Sequence, residues 1–506
     1  MTITAYGTGA YRAAKPNNFV SSRAELDDLQ RQLDTQQRAT SYGDLGIDRR
    51  VSLDVNGKLS SINSWLDGIG LADVSLKLLT SSVENFAKLT NGTRADASAD
   101  GYMETSTGQS PPQILAQEKL KQTLDLLDSS VNGRYLFSGK TSDKQPTATF
   151  NEIMDGDGAG KAGVKQLIDE RQQADLGSGL GRLSATVAAA TVTVAEEAVA
   201  HPYGFKISGA TSSSAAITTT LTAGPPASLA VDVATLPAAG DKVTFKLTLP
   251  DGTQEEIVLT ARAADTEPLM PNTFEIGADV NATAANLQVA ITEALGKEAR
   301  SSLSAASAQV AAQNFFAGSN SNPPLRVPGP PYASATLPPT NTGAYATSTV
   351  IWYRGEDGTD PARSTATVQV DQAQTVQMGA RANEEAFRIG LAQFAIMATE
   401  TFPASDTESK VRYQAMTDRV SERLGYGGTV QKPTEIVTDL ASAQTAMASA
   451  KERHTTTKSY LTTALEGVEN VKPEEVAMQI LALQNRLQAS YEVTSTLSRL
   501  SLTNYL

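Results

Sequence analysis

Between Arg50 and Asn91, apolar residues return at alternating steps of four and three: Val55, Leu59, Ile62, Leu66, Ile69, Leu76, Val83 and Ala87. Asp73 and Thr80 stand where the rhythm calls for apolar residues. Steps of four and three keep one stripe facing one way along a helix, because their mean lies close to the α-helical turn. The pattern predicts one helix about 60 Å long at 1.5 Å per residue, with Gly68 and Gly70 as points where it could bend. A stripe of that length needs a partner. The far end of the chain carries the same rhythm: Pro473, Glu474 and Glu475 open a helix in which Val476, Ile480, Leu483, Leu487, Thr494 and Leu497 follow it. Before it, Leu440, Ala443, Met447, Ala450, His454, Leu461, Ala464 and Val468 mark another long helix.

Shorter helices flank these. Ser22 and Glu25 fit a capping box ahead of Leu26, Leu29 and Leu33. Ser110, Pro111 and Gln113 fit a second start, whose stripe is Leu120, Leu124, Leu127 and Val131. Asn132-Gly133 then reads as the stop, since both residues tolerate positive φ. Phe387, Leu391 and Phe394, then Val420 and Leu424, predict two more helices. The middle of the chain, from about Ala185 to Val370, is rich in Ala, Thr, Ser and Pro. There the period changes to two, with Val243, Phe245, Leu247 and Leu249, the turn Pro250-Asp251-Gly252, then Ile257 and Leu259. That is a hairpin signal. Val350 to Tyr353 and Thr365 to Val370 read as strands, Ala284 to Leu295 as a helix, and Asn322 to Pro339 as a proline-rich loop.

The resulting fold class is α+β. Long N- and C-terminal helices pair as an antiparallel coiled-coil bundle, and a β-rich insert is looped out of it. A length of 506 residues predicts roughly three domains. They are expected as an inner terminal-helix domain (1–50 with 470–506), a helical bundle with a hairpin (51–185 with 371–469), and the insert (186–370), with room for two subdomains. Apolar stripes on such long helices exceed what one folded-back chain covers, which points to assembly with other chains.

Chemistry is sparse. A net charge of -13 offers no basic footprint for nucleic acid or anionic lipid. The absence of cysteine removes thiolate metal sites and thiol nucleophiles. Neither a Gly-x-Ser-x-Gly elbow nor a His-Glu-x-x-His pair occurs. The run Asp155 to Gly163, DGDGAGKAG, resembles a phosphate loop but has Asp where the first Gly belongs and Ala162 in place of the Ser or Thr. As a calcium loop it has Ala159 at a ligand position and Gln166 where the bidentate Glu belongs, so it reads as a solvated turn. His454 reads as a seam residue and His201 as a loop residue. Glu255-Glu256, Glu384-Glu385 and Glu474-Glu475 read as solvated faces. Asn91 and Asn281 head glycosylation tripeptides that are common by chance. No catalytic, cofactor or metal site is expected, and no membrane insertion. The first residues lack the basic and apolar regions of a cleaved secretory signal.

Two separated stretches carry a family resemblance. NGRYLFSGKTSDKQPT, which includes Asn132, Gly133, Arg134, Tyr135, Leu136, Phe137, Ser138 and Gly139, resembles the segment after the second long helix in the hook-filament junction proteins (hook-associated protein 3) of the bacterial flagellin superfamily. The final LQASYEVTSTLSRLSLTNYL is similar to that family's carboxyl end. The likeness covers roughly residues 1–150 and 375–506. It implies an axial building block of the flagellum: terminal helices forming an inner tube, the middle of the chain projecting outward, and export through the flagellar type III apparatus without cleavage. Implied partners are copies of itself, the hook-side junction protein, flagellin and an export chaperone. The assembly residues expected on this basis are Val55, Leu59, Ile62, Leu66 and Ile69, with Ile480, Leu483, Leu487, Tyr491 and Leu497. The sequence departs from the family at Thr40 to Arg50, where the usual Ser/Thr-Gly-Lys-Arg turn is absent. Filament-forming flagellin is the rival within the superfamily. A surface-binding or adhesion module on a coiled-coil stalk is the alternative outside it.

Overall fold

The computed structural model describes residues 8–99, 101–103, 105–264 and 270–503, with side chains described for 20–496 and 499 within those ranges. In chain order the helices and strands are α1 (Thr8–Thr35), α2 (Arg49–Ser98), α3 (Pro111–Leu127), β1 (Ser130–Val131), β2 (Arg134–Tyr135), α4 (Phe150–Asp155) and α5 (Val164–Leu176). Strands β3 (Leu183–Ala188), β4 (Thr191–Glu196), β5 (Lys206–Ser212), β6 (Ile217–Thr222), β7 (Ser228–Val233), β8 (Lys242–Thr248), β9 (Gln254–Arg262) and β10 (Thr273–Glu275) follow. Then come α6 (Val280–Glu298), α7 (Ser304–Ala317), β11 (Thr367–Asp371), β12 (Gln374–Gln377), α8 (Glu385–Thr399), α9 (Ser409–Arg423), α10 (Pro433–Glu469) and α11 (Pro473–Thr503). The protein is thus a mixed helix and sheet structure of the α+β class.

The chain divides into two compact units, a terminal unit (Met1–Ala72, Val368–Val376, Thr445–Leu506) and a central unit (Asp73–Thr367, Gln377–Gln444). Helix α2 runs unbroken through Gly68 and Gly70 for 50 residues, about 75 Å. It and α10 each contribute one part to either unit.

In the terminal unit, Leu29 of α1 is buried with Val476, Ile480 and Leu483 of α11, and Leu26 and Leu487 pack against them. The turn ends of these two helices are tied by Arg38 N–H to the Glu469 carbonyl (2.7 Å) and Val471 N–H to the Gln36 carbonyl (3.1 Å). Residue numbers fall along one helix as they rise along the other, so α1 and α11 run in opposite directions. The same holds for α2 and the terminal part of α10. Ser52 and Asn56 donate to the Glu469 carboxylate, while further along Trp65 lies tilted on His454 at 5.1 Å. The small hairpin β11–β12 docks on α10 through the His454 ring, whose Nε2 lies 2.7 Å from the Val370 carbonyl.

In the central unit two four-stranded sheets, ordered β3-β4-β7-β6 and β10-β9-β8-β5, share one apolar core with α6. Alternation explains it: Val192, Val194, Leu229, Val231, Val243, Phe245, Leu247, Ile257 and Leu259 point inward from their strands onto Leu287 and Ile291. The expected hairpin is β8–β9, with Phe245 opposite Ile257 and Gly252 at φ 85° in its turn. Helix α6 continues through a π turn at Ala299–Leu303 into α7. Outside this core, Phe387 of α8 meets Phe86 at 4.9 Å and Phe137 at 5.6 Å. Buried Gln309 of α7 and Gln393 of α8 exchange amide hydrogen bonds.

Several expectations change. Ser22 and Glu25 do not start a helix. Helix α1 is already running at Thr8, so the amides there have carbonyl acceptors one turn back and nothing is left to cap. Asn132-Gly133 does not stop α3, which ends at Leu127 with Asp128 as its C-cap. Both residues do take positive φ, 52° and 75°, as the two-residue turn joining β1 to β2, with Val131 opposite Arg134. Val350 to Tyr353 forms no strand. Tyr353 and the preceding Thr349 make only single bridges, with Thr147 and Ala162, while the buried Trp352 packs on Phe316 of α7 at 5.4 Å. Glu384 does not sit on a solvated face: it is buried, accepting Arg363 Nη2 on both oxygens at 2.5 Å and Gln431 Nε2 at 3.1 Å. The middle region also holds helix α7, which is buried nearly all round, its Ala-rich sequence including buried Ser307 and Gln309, and so shows no amphipathic stripe to detect.

Candidate assembly surfaces

The residues expected to hold copies together divide sharply by exposure. Val55, Ile62 and Ile69 on α2, and Ile480 and Leu483 on α11, are buried within the chain itself. Leu59, Leu66 and Leu487 are half-buried. Tyr491 shares the seam face by periodicity yet is 57% exposed, and the Leu497 side chain lies outside the described residues. The four-three stripes are therefore mainly seams between helices of one chain. A contact with a second chain would have to use other faces of these helices.

Those faces exist. On α11, Met478 and Leu481 stand roughly 100–160° round the helix from the Ile480 seam, counting 100° per residue, and Leu481 is 60% exposed. Val493 and, on α10, Tyr460 are exposed as well. Val51, Leu53 and Leu71 do the same on α2. Ile47, in the short helical turn between α1 and α2, is 94% exposed. Its loop is held firmly: Arg38 pairs with Asp48 at 3.0 Å, and the Thr40 and Ser41 hydroxyls both donate to Asp44, which keeps that carboxyl below its usual range. Among its described residues the terminal unit exposes twelve large apolar side chains and buries ten. Contiguous exposed apolar surface is what marks an interaction site, and Met478 and Leu481 lie within one turn of each other on α11. The signal for this second face was present in the sequence, as apolar residues at positions 478 and 481 off the main rhythm.

The segment Asn132 to Gly139 forms part of the central unit's core layer. Asn132, Gly133 and Arg134 are exposed in the hairpin turn; Tyr135 and Leu136 are half-buried; Phe137 and Ser138 are fully buried. Phe137 packs edge-on against Phe387 at 5.6 Å, and its carbonyl accepts Ala382 N–H at 2.9 Å. Ser138 donates to the Lys144 carbonyl at 2.6 Å. At Gly139, φ is 64° and a Cβ would stand 2.9 Å from the Glu356 Cβ, so a side chain there would be strained in conformation and in space. The buried part of the stretch, Phe137 and Ser138, meets other parts of the central unit, which makes it a packing motif.

Groups that could carry chemistry are tied up structurally. The turn from Asp155 to Gly163 joins α4 to α5 at the surface, with Asp157 accepting Ala159 and Lys161 amides and Lys165 pairing with Asp155. Glu170 is buried against Arg326, whose Nε donates at 2.8 Å, and also accepts the Tyr332 hydroxyl at 3.0 Å and Gln166. Asp175 accepts Arg171, Ser307 and the Gly204 amide. His201 takes the Tyr203 amide on Nδ1, which leaves Nε2–H to donate to Glu197 at 3.1 Å. Burial, then Lys206 and Arg182 nearby, hold its pKa below the ordinary 6.5. An apolar cavity of about 80 Å³ beside Glu170 is lined chiefly by Leu167, Val310, Ala311 and Val327.

Among the described residues no cluster of three His, Cys, Asp or Glu could hold a metal, and no helix is long and apolar enough to cross a membrane. No protein-family model matches the chain, and no curated protein matches it.

Proposed function

We propose that this chain is a structural axial component of the bacterial flagellum, assembling with copies of itself at the junction between hook and filament. In this reading the long helices at the two ends pair as an antiparallel coiled-coil bundle forming the inner layer, and residues 186–370 project as an outer insert. The chain reaches its place through the flagellar type III apparatus with the help of an export chaperone. It then contacts the hook-side junction protein on one side and flagellin on the other. It acts by packing, without catalysis or cofactor.

One observation supports the reading beyond the sequence resemblance: among its described residues the terminal unit exposes more large apolar side chains than it buries. A repeated subunit whose ends line a tube would cover such faces with its neighbours. Immunogold electron microscopy of intact flagella, with antibody against residues 186–370, tests it. Label confined to the hook-filament boundary is expected. Label along the whole filament would make the chain a filament-forming flagellin. Label on the cell surface away from flagella would favour an adhesion module on a stalk, and either result overturns the junction assignment.

A further inference from the structure

We propose that two copies of this chain pair edge to edge through β3 about a two-fold axis, so that the β3-β4-β7-β6 sheet continues from one copy into the other. Strand β3 is the outer strand of that sheet, and among the described residues no strand pairs with its far side. Which backbone groups face outward can be read from two bonds. Leu183 N–H donates to the Leu180 carbonyl at 3.3 Å, and the Ala185 carbonyl accepts Gln288 Nε2 of α6 at 3.0 Å, so residues 183 and 185 turn away from β4. Antiparallel alternation then places Ala185 N–H and both the N–H and C=O of Val187 on the same outward side.

The other edges are guarded. Strand β5 has a register shift between Ile207 and Gly209 and begins with Lys206. Strand β6 lies beside β5, with Thr219 Oγ1 donating to the Ala210 carbonyl at 3.1 Å. Strand β10 is three residues long and carries Glu275. By contrast β3 pairs with β4 in unbroken register over all six residues, LSATVA, and has no proline, charge or bulge. These are the features that normally keep an edge from pairing with another chain.

The second copy is the occupant that the surface chemistry favours. A chain of charge -13 repels its own copies. The outward row next to this edge, Ser184, Thr186 and Ala188 with Thr191, Thr193 and Ala195 behind it, has no ionisable group. The same face of the other sheet carries a Lys246–Glu256 ion pair at 3.1 Å. Val187 points to the core side but is 40% exposed because the sheet ends there, and Val289, next to Gln288 on α6, is 51% exposed.

A two-fold axis through Thr186 fits both observations. It sets Thr186 opposite its own counterpart and Ala185 opposite Val187, so the outward groups of Ala185 and Val187 satisfy one another and each Val187 is covered. The Ala185 carbonyl exchanges the Gln288 amide for a backbone N–H. Thr–Thr pairs across strands are favourable. This pairing does not rest on the proposed function.

The chain has no cysteine, so single cysteines report proximity cleanly. The test is mild oxidation of the purified full chain carrying Thr186→Cys, compared with Thr220→Cys, an equally exposed position on the strand at the far side of the same sheet. Opposed non-hydrogen-bonded residues sit at the separation a disulfide needs. The expected result is a covalent dimer from Thr186→Cys and little from Thr220→Cys. Adding Val187→Lys should lower the yield about tenfold, the change that ~1.4 kcal/mol produces. Equal yields at 186 and 220, no dimer at 186, or a yield indifferent to Val187→Lys would overturn the proposal.

Discussion

The terminal and central units are built from the same materials and finish their surfaces differently. In the central unit, large aromatic side chains such as Phe86, Phe137, Phe387 and Trp352 are fully buried, and buried charges are matched, as Glu170 is by Arg326 and Asp175 by Arg171. In the terminal unit the seams close, yet Ile47, Tyr460, Met478 and Leu481 remain in water. The central unit buries many more large apolar side chains than it exposes, the exposed ones including Val187 and Val289 beside the β3 edge. A unit with a spare apolar face is finished only in company. The contrast argues that the larger share of stability resides in the centre, and that the exposed helix faces at the ends and the β3 edge are the places left for association.

Substitutions can break that contrast. The largest effect is expected from Arg326→Ala, which leaves the Glu170 carboxylate buried with only neutral donors. Losing one partner of such a pair costs about 3–5 kcal/mol, and denaturant unfolding should show it as a lower midpoint for the central unit. An unchanged midpoint would mean that Glu170 reaches water, and that the centre is less sealed than its geometry indicates.

A smaller effect comes from pH. The folded state holds His201 below its ordinary pKa, so the unfolded chain takes up its proton first as pH falls. Stability from this group is therefore fully present above about pH 6.5 and declines as the pH drops below it. Thermal melts across that window should flatten in His201→Gln. A His201→Gln profile that declined as steeply as the parent's would assign the loss to other groups.

The smallest effect, on the single chain, sharpens the comparison most. Leu481→Asp on the exposed face of α11 should change the stability of the isolated protein by no more than about 0.5 kcal/mol, while abolishing assembly scored by motility or by polymer mass. Leu483→Asp, on the buried face of the same helix two residues away, should instead weaken α1–α11 packing, seen as lost helicity. If Leu481→Asp were as damaging to the isolated chain as Leu483→Asp, the idea of two separate faces on α11 would fail.

Much of the helical skeleton was legible because long periodic stripes average over local exceptions. The start at Ser110, the helices around Phe387 and Val420, and the hairpin at Val243 to Leu259 stand where the spacing places them. Legibility failed where one local signal has two meanings. Ser22 and Glu25 look like a cap, but capping is decided by whether the preceding residues are already helical. Asn132-Gly133 announces positive φ without saying whether a helix ends or a hairpin turns. Glu384 next to Glu385 looks solvated until Arg363 and Gln431 arrive from elsewhere in the chain.

The assembly residues show the same limit. The sequence by itself determined which positions are apolar and on which stripe they fall, since helical geometry converts spacing into direction. Only the tertiary structure decided that Val55, Ile62, Ile69, Ile480 and Leu483 face helices of their own chain while Leu481 and Ile47 face water. The physical reason is that periodicity fixes a side chain's direction about its own helix axis, whereas burial depends on what long-range packing brings to meet it.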